Sequence, residues 1–453
     1  MKKPPFKKIL IANRGEIALR IIRACHELGI KTVAIHSTAD VNSLHVKIAN
    51  ESVCIGPAPA NESYLNVASI MSAAIATGVD AIHPGYGFLS ENAEFAEVCG
   101  SCGIAFIGPT VRNMRMLGDK AKALRAAEKA GLPIVAGDSR GVIELEDAIK
   151  IAESIGYPVI LKGCAGGGGR GMKVVSSTDE MRETFPMASQ EVEKSFRDPH
   201  LLVEKYLTKV KHLEVQIAGD NFQNVVHFGV RDCSLQRRYQ KIIEEAPATF
   251  DSKLINKIQE AAVSLARAVN YTSLGTVEFL LDVETQKFYF IEMNTRLQVE
   301  HPVTEAVTDV DLVKEQIRIA AGEELSYDQG DIKLKGYAME VRINAEDPKT
   351  LIPSPGIVES YHAPGGRGVR VESALYSGYE VSPYYDSLIA KLIVRDDNRE
   401  NCIKKMLVAL DEFVIDGIKT NIDLHRKILS NSTFRNGLVY TKFLEEHNVF
   451  EEK

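Results

Sequence analysis

The chain of 453 residues contains no tryptophan, and several other features are scarce. Its seven cysteines are an odd number with irregular spacing, which favours a reducing compartment over a disulfide framework. No run of residues approaches the roughly 20 apolar positions needed to cross a bilayer. The basic start of the chain is not followed by the apolar stretch and cleavage site of a signal peptide. We therefore expect a cytoplasmic protein that works without a membrane.

Basic residues are also in the minority. The 54 Lys and Arg face 61 Asp and Glu, and the net charge is −7 at pH 7. Such a balance offers no basic surface for nucleic acid, so any bound anion must be held by local basic residues. The lone C-x-x-C at Cys99 and Cys102 has no second pair to complete four metal ligands, and we interpret it as a chance spacing near a helix end.

The length of the chain predicts two to four domains or subdomains. Residues 8–36 have the pattern strand, loop, helix and strand, and a second cycle at residues 70–83 predicts a parallel sheet over about the first 110 residues. The turn at residues 13–16 is not G-x-G-x-x-G, which disfavours a dehydrogenase. Residues 134–204 form a smaller module, hairpins and helices alternate over residues 205–330, and the last 120 residues are α+β.

A glycine-rich segment at residues 166–171 lies between two predicted strands, with Lys162 at the end of the first. Backbone N–H groups without side chains around them can approach a polyphosphate closely, while Lys162 supplies positive charge. A Walker loop ends in Gly-Lys-Ser/Thr and begins a helix, whereas a strand follows here. We expect a hairpin tip that folds over a nucleotide as a lid, and the alternative is a flexible linker.

Two glutamates lie on a predicted hairpin at residues 276–292. Strand periodicity places Glu278 on the face of Leu280. It places Glu292 on the face of Phe290, so both carboxylates are expected on an apolar side. Two carboxylates with a neighbouring amide oxygen suit Mg²⁺ that is held together with phosphates. The alternatives are exposed acids at the strand ends and structural salt bridges.

Polar residues continue at every second position after this hairpin. If the run stays extended, one face carries Glu292, Asn294, Arg296, Gln298 and Glu300. A metal end, an anion-binding middle and a terminal carboxylate would form a path from phosphate to a small anionic substrate and a general base. A solvated edge strand could show the same alternation.

Two other segments could bind ligands. Residues 83–88 place two glycines and a proline around Tyr86 at the expected carboxyl end of a strand, where open sheets bind ligands, although a plain turn explains them equally well. Residues 231–241 are a basic cluster that could bind an anion. Taken alone, this cluster predicts a solvated face or an ion-pair network with Glu244 and Glu245.

Six motifs taken together resemble the biotin carboxylase family, at residues 11–18, 83–88, 166–171, 231–238, 292–304 and 342–348. The resemblance covers about residues 8–446. It implies an α/β and α+β multidomain protein with an ATP-grasp fold, a Rossmann-like parallel sheet in the N-terminal domain and an α+β C-terminal domain. The implied domains span residues 1–115, 116–331 with a lid subdomain at about 134–204, and 332–453.

The resemblance also implies roles for individual residues. ATP would be bound at its phosphates by Lys120 and Lys162, under a lid with Gly168 and Gly169, and at its adenosine by Glu204, Lys205, Tyr206, Leu207, His212 and Tyr239. Tyr239 stands where many members of the family have His. Mg²⁺ or Mn²⁺ would be held by Glu278, Glu292 and Asn294. Bicarbonate would be bound by Lys241, Arg296, Gln298 and the backbone of Val299.

The implied reaction has two steps. Glu300 deprotonates bicarbonate, which attacks the γ-phosphate of ATP to give carboxyphosphate. Arg342 then steadies the enolate-like biotin while it takes CO₂, with Arg296 beside it and Tyr86 near the ring. Because carboxyphosphate hydrolyses readily in water, a lid that excludes solvent would serve the mechanism as well as the phosphates.

The resemblance implies the first half-reaction of acetyl-CoA carboxylase in fatty acid biosynthesis, carried out by a homodimer. Biotin would be presented on a separate biotin carboxyl carrier protein, and carboxyltransferase subunits would be further chains. One alternative is the biotin carboxylase subunit of a two-subunit pyruvate or other 2-oxoacid carboxylase. The others are an ATP-grasp ligase that joins a carboxylate to an amine, and a nucleotide-binding regulatory module without turnover.

Overall fold

The computed structural model describes residues 6–164 and 172–447. A parallel sheet forms its N-terminal layer, as predicted, from β1 (Lys8–Ile11), β2 (Lys31–Ser37), β3 (Glu51–Gly56), β4 (Ala81–His83) and β5 (Ala105–Phe106). The strand order is β3-β2-β1-β4-β5. The helices of this part are α1 (Gly15–Glu27), α2 (Leu44–Ile48), α3 (Val67–Thr77), α4 (Ala93–Ser101) and α5 (Val111–Leu117).

Buried polar contacts hold the turn that follows β1. The Asn13 side-chain amide donates to the carbonyls of Pro84 and Tyr86, both at 2.7 Å. Arg14 donates to the Asp40 carboxylate from Nε at 2.6 Å and from a terminal nitrogen at 2.7 Å. The loops after β1 and β4 are therefore fixed side by side at the carboxyl edge of the sheet, where ligands bind in open parallel sheets.

Acid is expected to remove the stabilisation that Asp40 provides. Burial would raise the pKa of Asp40, but its bond to Arg14 outweighs burial and holds that pKa at about 2. Ionised Asp40 therefore stabilises the fold by about 2 kcal/mol above pH ~4, and this contribution is lost as the pH falls toward 2. Asp40→Asn should lower the urea midpoint, followed by circular dichroism, more at pH 6 than at pH 3.

Asp147→Asn is the matched control, because Asp147 is exposed and its ion pair is with Lys150, one helical turn away. Its urea midpoint should match that of the wild type at both pH values. An equal deficit of Asp40→Asn at pH 6 and pH 3 would contradict the assignment of the stabilisation to the ionised carboxylate.

Helix α6 (Lys120–Lys129) follows, and its buried side chains join a core that extends to residues 213–293. The next elements form a small module with its own core: α7 (Leu145–Ile155), β6 (Val159–Gly163), β7 (Lys173–Val175), α8 (Thr178–Phe196) and β8 (Leu201–Lys205). The three strands pair antiparallel in the order β7-β6-β8. Ser177 caps α8 by accepting from the Glu180 N–H at 3.2 Å. The glycine-rich segment joins β6 to β7 and lies outside the described residues.

The central part contributes five strands and three helices. They are β9 (Val210–Gly219), β10 (Val225–Arg237), β11 (Gln240–Ala246), α9 (Ser252–Ala268), β12 (Ser273–Asp282), β13 (Phe288–Asn294), α10 (His301–Thr308) and α11 (Leu312–Ala320). Strand β14 (Tyr337–Asn344) then starts the C-terminal part. Long antiparallel ladders join β9 to β10 and to β12. These ladders bring residues from distant positions in the chain onto one surface.

The C-terminal part is built from short strands and closing helices. They are β15 (Gly356–Ile357), β16 (Ser360–His362), β17 (Val369–Ser373), β18 (Glu380–Val381), β19 (Leu388–Asp396), α12 (Arg399–Glu412), β20 (Val414–Asp416), α13 (Ile422–Ser430), α14 (Ser432–Arg435) and α15 (Phe443–Glu446). None of the helices within residues 6–164 and 172–447 combines the length and apolar character of a membrane span.

One large sheet joins the central and C-terminal parts. Its eight strands lie in the order β13-β12-β9-β10-β11-β14-β19-β17, and all the neighbouring pairs are antiparallel. The β11–β14 ladder crosses the junction between the two parts, with Ile243 opposite Val341 and Ala246 opposite Ala338. Side chains from both parts therefore share the same sheet surface.

A bulge in the β12–β13 hairpin changes the direction of Glu292. Glu278 lies opposite Glu292, but the next pair is Phe279 with Phe290, so Ile291 is an extra residue on β13. Phe279 and Phe290 pack in the core with ring centroids 6.4 Å apart. The prediction that Glu292 shares a face with Phe290 is wrong, because an inserted residue reverses the alternation of a strand. Glu292 instead faces the same side as Glu278.

Candidate active site

A buried cation lies among three carboxylates where β9, β11 and β12 approach one another. Lys241 Nζ lies 2.8 Å from Glu300 and 3.1 Å from Glu278, and it also contacts Glu214. Burial would lower the pKa of Lys241, but Glu278 and Glu300 raise it above the usual value. Lys241 is therefore charged, and it connects carboxylates that would otherwise repel one another.

Glu278 is surrounded by donors. His212 Nε2 lies 2.8 Å from it, the Asn294 amide donates at 2.7 Å and the Gln298 amide at 3.3 Å. Burial would raise the pKa of Glu278, but Lys241 and His212 lower it far below the usual range. The side on which Glu278 points is thus polar and charged, and the prediction of an apolar side is wrong.

Glu292 is less well compensated than Glu278. Burial raises its pKa, and the neighbouring charge of Glu278 raises it further. Lys120 Nζ lies 3.9 Å away. Glu278 and Glu292 present two facing carboxylates of the kind that suits Mg²⁺, and a divalent cation would relieve the repulsion that raises the pKa of Glu292. The Asn294 amide nitrogen faces Glu278 and its oxygen accepts from Arg296, so Asn294 would add an oxygen ligand only after its amide turns over. The residues present therefore fit the predicted metal.

The predicted polar track exists, but the chain is not extended along it. β13 ends at Asn294, and Glu300 stands at the N-cap of α10. Arg296 bends back to donate to the Asn294 side chain at 3.1 Å and to the Gln298 side chain at 2.8 Å. Arg296 also donates to Glu91 at 3.0 Å. Hydrogen bonds among the polar side chains bring them together where strand geometry does not.

Glu300 and Arg342 form the end of this track. Arg342, on β14, donates to Glu300 at 2.9 Å and to Glu244 at 2.6 Å. Burial would raise the pKa of Glu300, but Lys241 and Arg342 lower it well below the usual range. Glu300 is fully buried and ionised, so it can accept a proton from a substrate bound between these cations.

The predicted nucleotide residues line the small module and its junction with the large sheet. Lys162 Nζ donates to Glu204 at 2.6 Å across the β6–β8 pair. The Lys205 ammonium donates to the carbonyls of Gly156 and Tyr157, both at 2.9 Å, and so faces into the module. Tyr206 and Leu207 follow β8, and Tyr239 lies half exposed in the turn between β10 and β11. Gly168 and Gly169 lie outside the described residues.

His212, which is predicted to bind adenosine, also contacts Glu278, which is predicted to bind the metal. Its Nδ1 atom lies 2.9 Å from the Gln236 amide nitrogen, while Nε2 contacts Glu278.

Val299 and Tyr86 have partners outside this cluster: the Val299 carbonyl accepts from Lys391 at 2.8 Å, and the Tyr86 hydroxyl donates to Glu16.

The basic cluster at residues 231–241 is only partly a solvated face: Arg238 is exposed, whereas Arg231 and Lys241 turn into the site. Arg231 is 1% exposed and donates to Glu214 at 3.1 and 3.2 Å. Glu244 and Glu245 pair instead with Arg342 and with Arg399. The predicted ion-pair network with Glu244 and Glu245 is therefore wrong for Arg231. Arg231 instead shares the partner Glu214 with Lys241.

Sequence reasoning missed Glu91, Glu214 and Lys391 as residues of the site, and it named Glu244 only as a partner of the basic cluster. Glu214 and Glu244 each left a signal in the sequence. Glu214 is two positions from His212 on a strand, so both side chains face the same way. Glu244 is an acid inside an apolar strand, where a buried charge needs a cation. Glu91 and Lys391 come from loops and strands that only the tertiary fold brings close.

Models of three protein families match the chain in sequence. The description "Biotin carboxylase, N-terminal domain" matches residues 5–114, "Carbamoyl-phosphate synthase L chain, ATP binding domain" matches residues 119–328, and "Biotin carboxylase C-terminal domain" matches residues 340–446. Together these matches account for most of the chain.

Curated relatives are similar over nearly their whole length. The chain is 52% identical to biotin carboxylase 1 of Bacillus subtilis over 446 residues, which covers 98% of this chain and 99% of the relative. It is 54% identical to the biotin carboxylase of Haemophilus influenzae over 442 residues, which covers 97% of this chain and 98% of the relative.

Solved structures agree in fold. A biotin carboxylase–β-γ-ATP complex from Campylobacter jejuni has a TM-score of 0.96 at 48% identity and covers 98% of this chain and 99% of its own. The biotin carboxylase domain dimer of Hydrogenobacter thermophilus 2-oxoglutarate carboxylase, in complex with MgADP, ADP and bicarbonate, has a TM-score of 0.95 at 49% identity and covers 99% of both chains.

Proposed function

This chain belongs to the biotin carboxylase family, and from that premise we propose how its residues carboxylate biotin. It is an ATP-grasp ligase that uses ATP, Mg²⁺ and bicarbonate. The observation that carries the proposal is the position of Lys241, which touches Glu278 on the metal side and Glu300 on the substrate side. The terminal phosphate and bicarbonate are thus held in the same cavity.

The first step activates bicarbonate. Lys241 and Arg296 bind the bicarbonate anion through their positive charges. Gln298 and the backbone of Val299 also contact it. Glu300 is ionised because of Lys241 and Arg342, so it takes the bicarbonate proton. The freed oxygen attacks the γ-phosphorus of ATP, and carboxyphosphate and ADP form.

The nucleotide and the metal are positioned from the other side of the cavity. Lys120 and Lys162 contact the phosphates, Gly168 and Gly169 cover them, and the adenosine is bound by Glu204, Lys205, Tyr206, Leu207, His212 and Tyr239. Mg²⁺ or Mn²⁺, when bound by Glu278, Glu292 and Asn294, neutralises charge on the transferred phosphoryl group. The β-γ-ATP complex from Campylobacter jejuni supports a nucleotide in this fold.

The second step transfers CO₂ to biotin. Carboxyphosphate releases CO₂ and phosphate, and a ring nitrogen of biotin takes up the CO₂. Arg342 stabilises the negative charge that develops on the ring oxygen, with Arg296 beside it and Tyr86 near the ring. The contact of Arg342 with Glu300 at 2.9 Å supports this role, because it places the two steps beside each other.

The chain forms a dimer, as the related biotin carboxylase domain from Hydrogenobacter thermophilus does. Its three domains span residues 1–115, 116–331 with the lid at about 134–204, and 332–453. Biotin arrives on a biotin carboxyl carrier protein, and carboxyltransferase subunits use the product. We assign the chain to acetyl-CoA carboxylase, for fatty acid biosynthesis in the cytoplasm, the compartment predicted from its cysteines.

A second assignment has support from the solved structures. The carboxylase would then act on pyruvate or another 2-oxoacid. The neighbours include the biotin carboxylase domain of a 2-oxoglutarate carboxylase and, at a TM-score of 0.84 and 48% identity, the biotin carboxylase subunit of a pyruvate carboxylase. Affinity capture of the tagged chain, with identification of the biotinylated partner and its transferase, separates the two assignments.

The activity is tested directly with the purified protein. ATP hydrolysis in the presence of Mg²⁺ should depend on bicarbonate and should increase when free biotin is added. An amine-dependent reaction without bicarbonate would point to a different ATP-grasp ligase. Tight ATP binding with no turnover would point to a regulatory module.

Glu278→Gln is expected to raise the concentration of Mg²⁺ needed for half-maximal ATP hydrolysis by at least about tenfold. The amide lacks the negative charge that a hard divalent cation prefers. The measurement is a Mg²⁺ titration at saturating ATP and bicarbonate. Glu245→Gln is the control, because Glu245 binds Arg399 and Tyr337 away from the metal residues, and it should leave the titration unchanged. An unchanged titration in Glu278→Gln would refute the assignment.

A further inference from the structure

A buried lysine lies behind the proposed bicarbonate site. Lys391, on β19, is 0% exposed and lies directly opposite Arg342 on β14. Its ammonium donates to the Val299 carbonyl at 2.8 Å and lies 3.1 Å from Glu16. A fully buried ammonium is costly unless it is paired and hydrogen-bonded, so a residue of this kind calls for an explanation.

Three separated parts of the chain meet at Lys391. Glu16 comes from the first turn of α1, and Tyr86 comes from the loop after β4. The Tyr86 hydroxyl donates to Glu16, and the Lys391 ammonium lies 5.7 Å from the centre of the Tyr86 ring. Glu16 and Tyr86, from the N-terminal domain, therefore contact the ammonium on one side. The Val299 carbonyl, from the central part, accepts its hydrogen bond on the other.

The neighbouring ionisable groups leave Glu16 as the counter-charge. Both carboxylate oxygens of Glu340 are buried without a hydrogen-bond partner among the described residues. Burial raises the pKa of Glu340 well above the usual value, although the charge of Lys391 opposes this shift. His301 is neutral, because burial and then Lys391 lower its pKa far below the usual value. The Glu16 carboxylate, 3.1 Å from the ammonium, is the acid that pairs with Lys391 among the described residues.

The contact with Val299 orients the peptide that precedes Glu300. In a trans peptide the carbonyl and the following N–H point in opposite directions. Holding the Val299 carbonyl toward Lys391 consequently directs the Glu300 N–H away from it. The same peptide carries the Glu300 side chain, which lies 2.8 Å from Lys241 and 2.9 Å from Arg342. A small rotation of the peptide would move the Glu300 carboxylate off these two cations.

We propose that Lys391 is a positioning residue that holds the Val299–Glu300 peptide in the orientation needed to bind and deprotonate bicarbonate, with Glu16 and Tyr86 keeping its ammonium in place. Lys391 acts through this peptide and does not touch the substrate. The inference rests on the proposed function, because it assumes that bicarbonate binds at Val299 and Glu300.

Lys391→Met in the full chain tests the proposal, since Met keeps the apolar stem and removes the ammonium. The KM for bicarbonate in biotin-stimulated ATP hydrolysis should rise by about tenfold or more, the size expected for one lost charge-assisted hydrogen bond. The KM for ATP should change by less than about twofold, because the lysine lies on the side of bicarbonate. Glu16→Gln keeps the lysine but loosens it, and it should raise the KM for bicarbonate in the same direction by a smaller factor.

Arg399→Met is the matched control. Arg399 is a partly buried cation that binds Glu245 at 2.6 Å and the carbonyls of Phe434 and Arg435, which lie outside the proposed site. It should lower the thermal midpoint and leave the KM for bicarbonate unchanged. If Lys391 had only a structural role, Lys391→Met would likewise lower the thermal midpoint and leave the KM for bicarbonate unchanged. That result in a folded Lys391→Met would overturn the proposal. If Lys391→Met does not fold, an unchanged KM in Glu16→Gln has the same consequence. A wild-type protein without any bicarbonate dependence would instead overturn the proposed function.

Discussion

Glu300→Gln is expected to slow bicarbonate-dependent ATP hydrolysis by about 10²–10⁴-fold, the range typical for removal of a general base. The amide cannot take the proton that bicarbonate must lose before it attacks phosphorus. Glutamine has nearly the same shape, so ATP and Mg²⁺ should still bind. The measurements are steady-state ADP release and the binding of a fluorescent ATP analogue. The lack of tryptophan leaves a low fluorescence background for the binding assay.

The control for Glu300→Gln is again Glu245→Gln. Glu245 is also a mostly buried glutamate that binds an arginine, but its partners are Arg399 and Tyr337. It should keep most of the wild-type rate. Activity of Glu300→Gln above about one tenth of the wild-type rate would be too high for the loss of a general base, and the proton would then have another acceptor.

Arg342→Met is expected to reduce carboxylation of free biotin by about 10²–10³-fold, as loss of one charge-stabilising donor does in other enzymes. Bicarbonate-dependent ATP hydrolysis should fall less, because Lys241 still neutralises Glu300. The ratio of ATP hydrolysed to biotin carboxylated should therefore rise. Product analysis of carboxybiotin alongside ADP release measures this ratio.

The same substitution has a pH signature. Arg342 is one of the groups that lower the pKa of Glu300, so its loss should raise that pKa. The acid limb of the remaining ATP hydrolysis should consequently move to higher pH. Arg342→Lys keeps the charge but loses the two-pronged contact with Glu244 and Glu300, and it should shift the limb less. Equal loss of hydrolysis and carboxylation in Arg342→Met would contradict a role in the second step.

Local patterns in the sequence predicted much of the fold. The parallel sheet and the β12–β13 hairpin follow from short-range periodicity, which depends only on neighbouring residues. The bulge at Ile291 could not be predicted in this way, because no residue type in the strand signals it. It reversed the expected direction of Glu292, so that Glu292 faces the same polar side as Glu278.

The site was predicted in its residue types more than in its geometry. The polar run ending at Glu300 does converge, but through bonds from Arg296 to Asn294 and Gln298 and not through an extended strand. The supporting charges at Glu214 and Lys391 depend on pairings between strands that are far apart in the chain. Such pairings are decided by the packing of the whole sheet, which local periodicity does not describe.

The continuous eight-stranded sheet leaves no clean place to divide the protein. A fragment ending after residue 331 would lack β14 and would expose the backbone of β11, an open edge that invites aggregation. It would also lack Arg342 and Lys391. If fragments 1–331 and 332–453 are produced together, they should recover activity when β11 and β14 pair again. The activity recovered would therefore measure the formation of this strand pair. The proposed catalytic residues thus come from both sides of the β11–β14 pair, and the site is complete only when the two strands are joined.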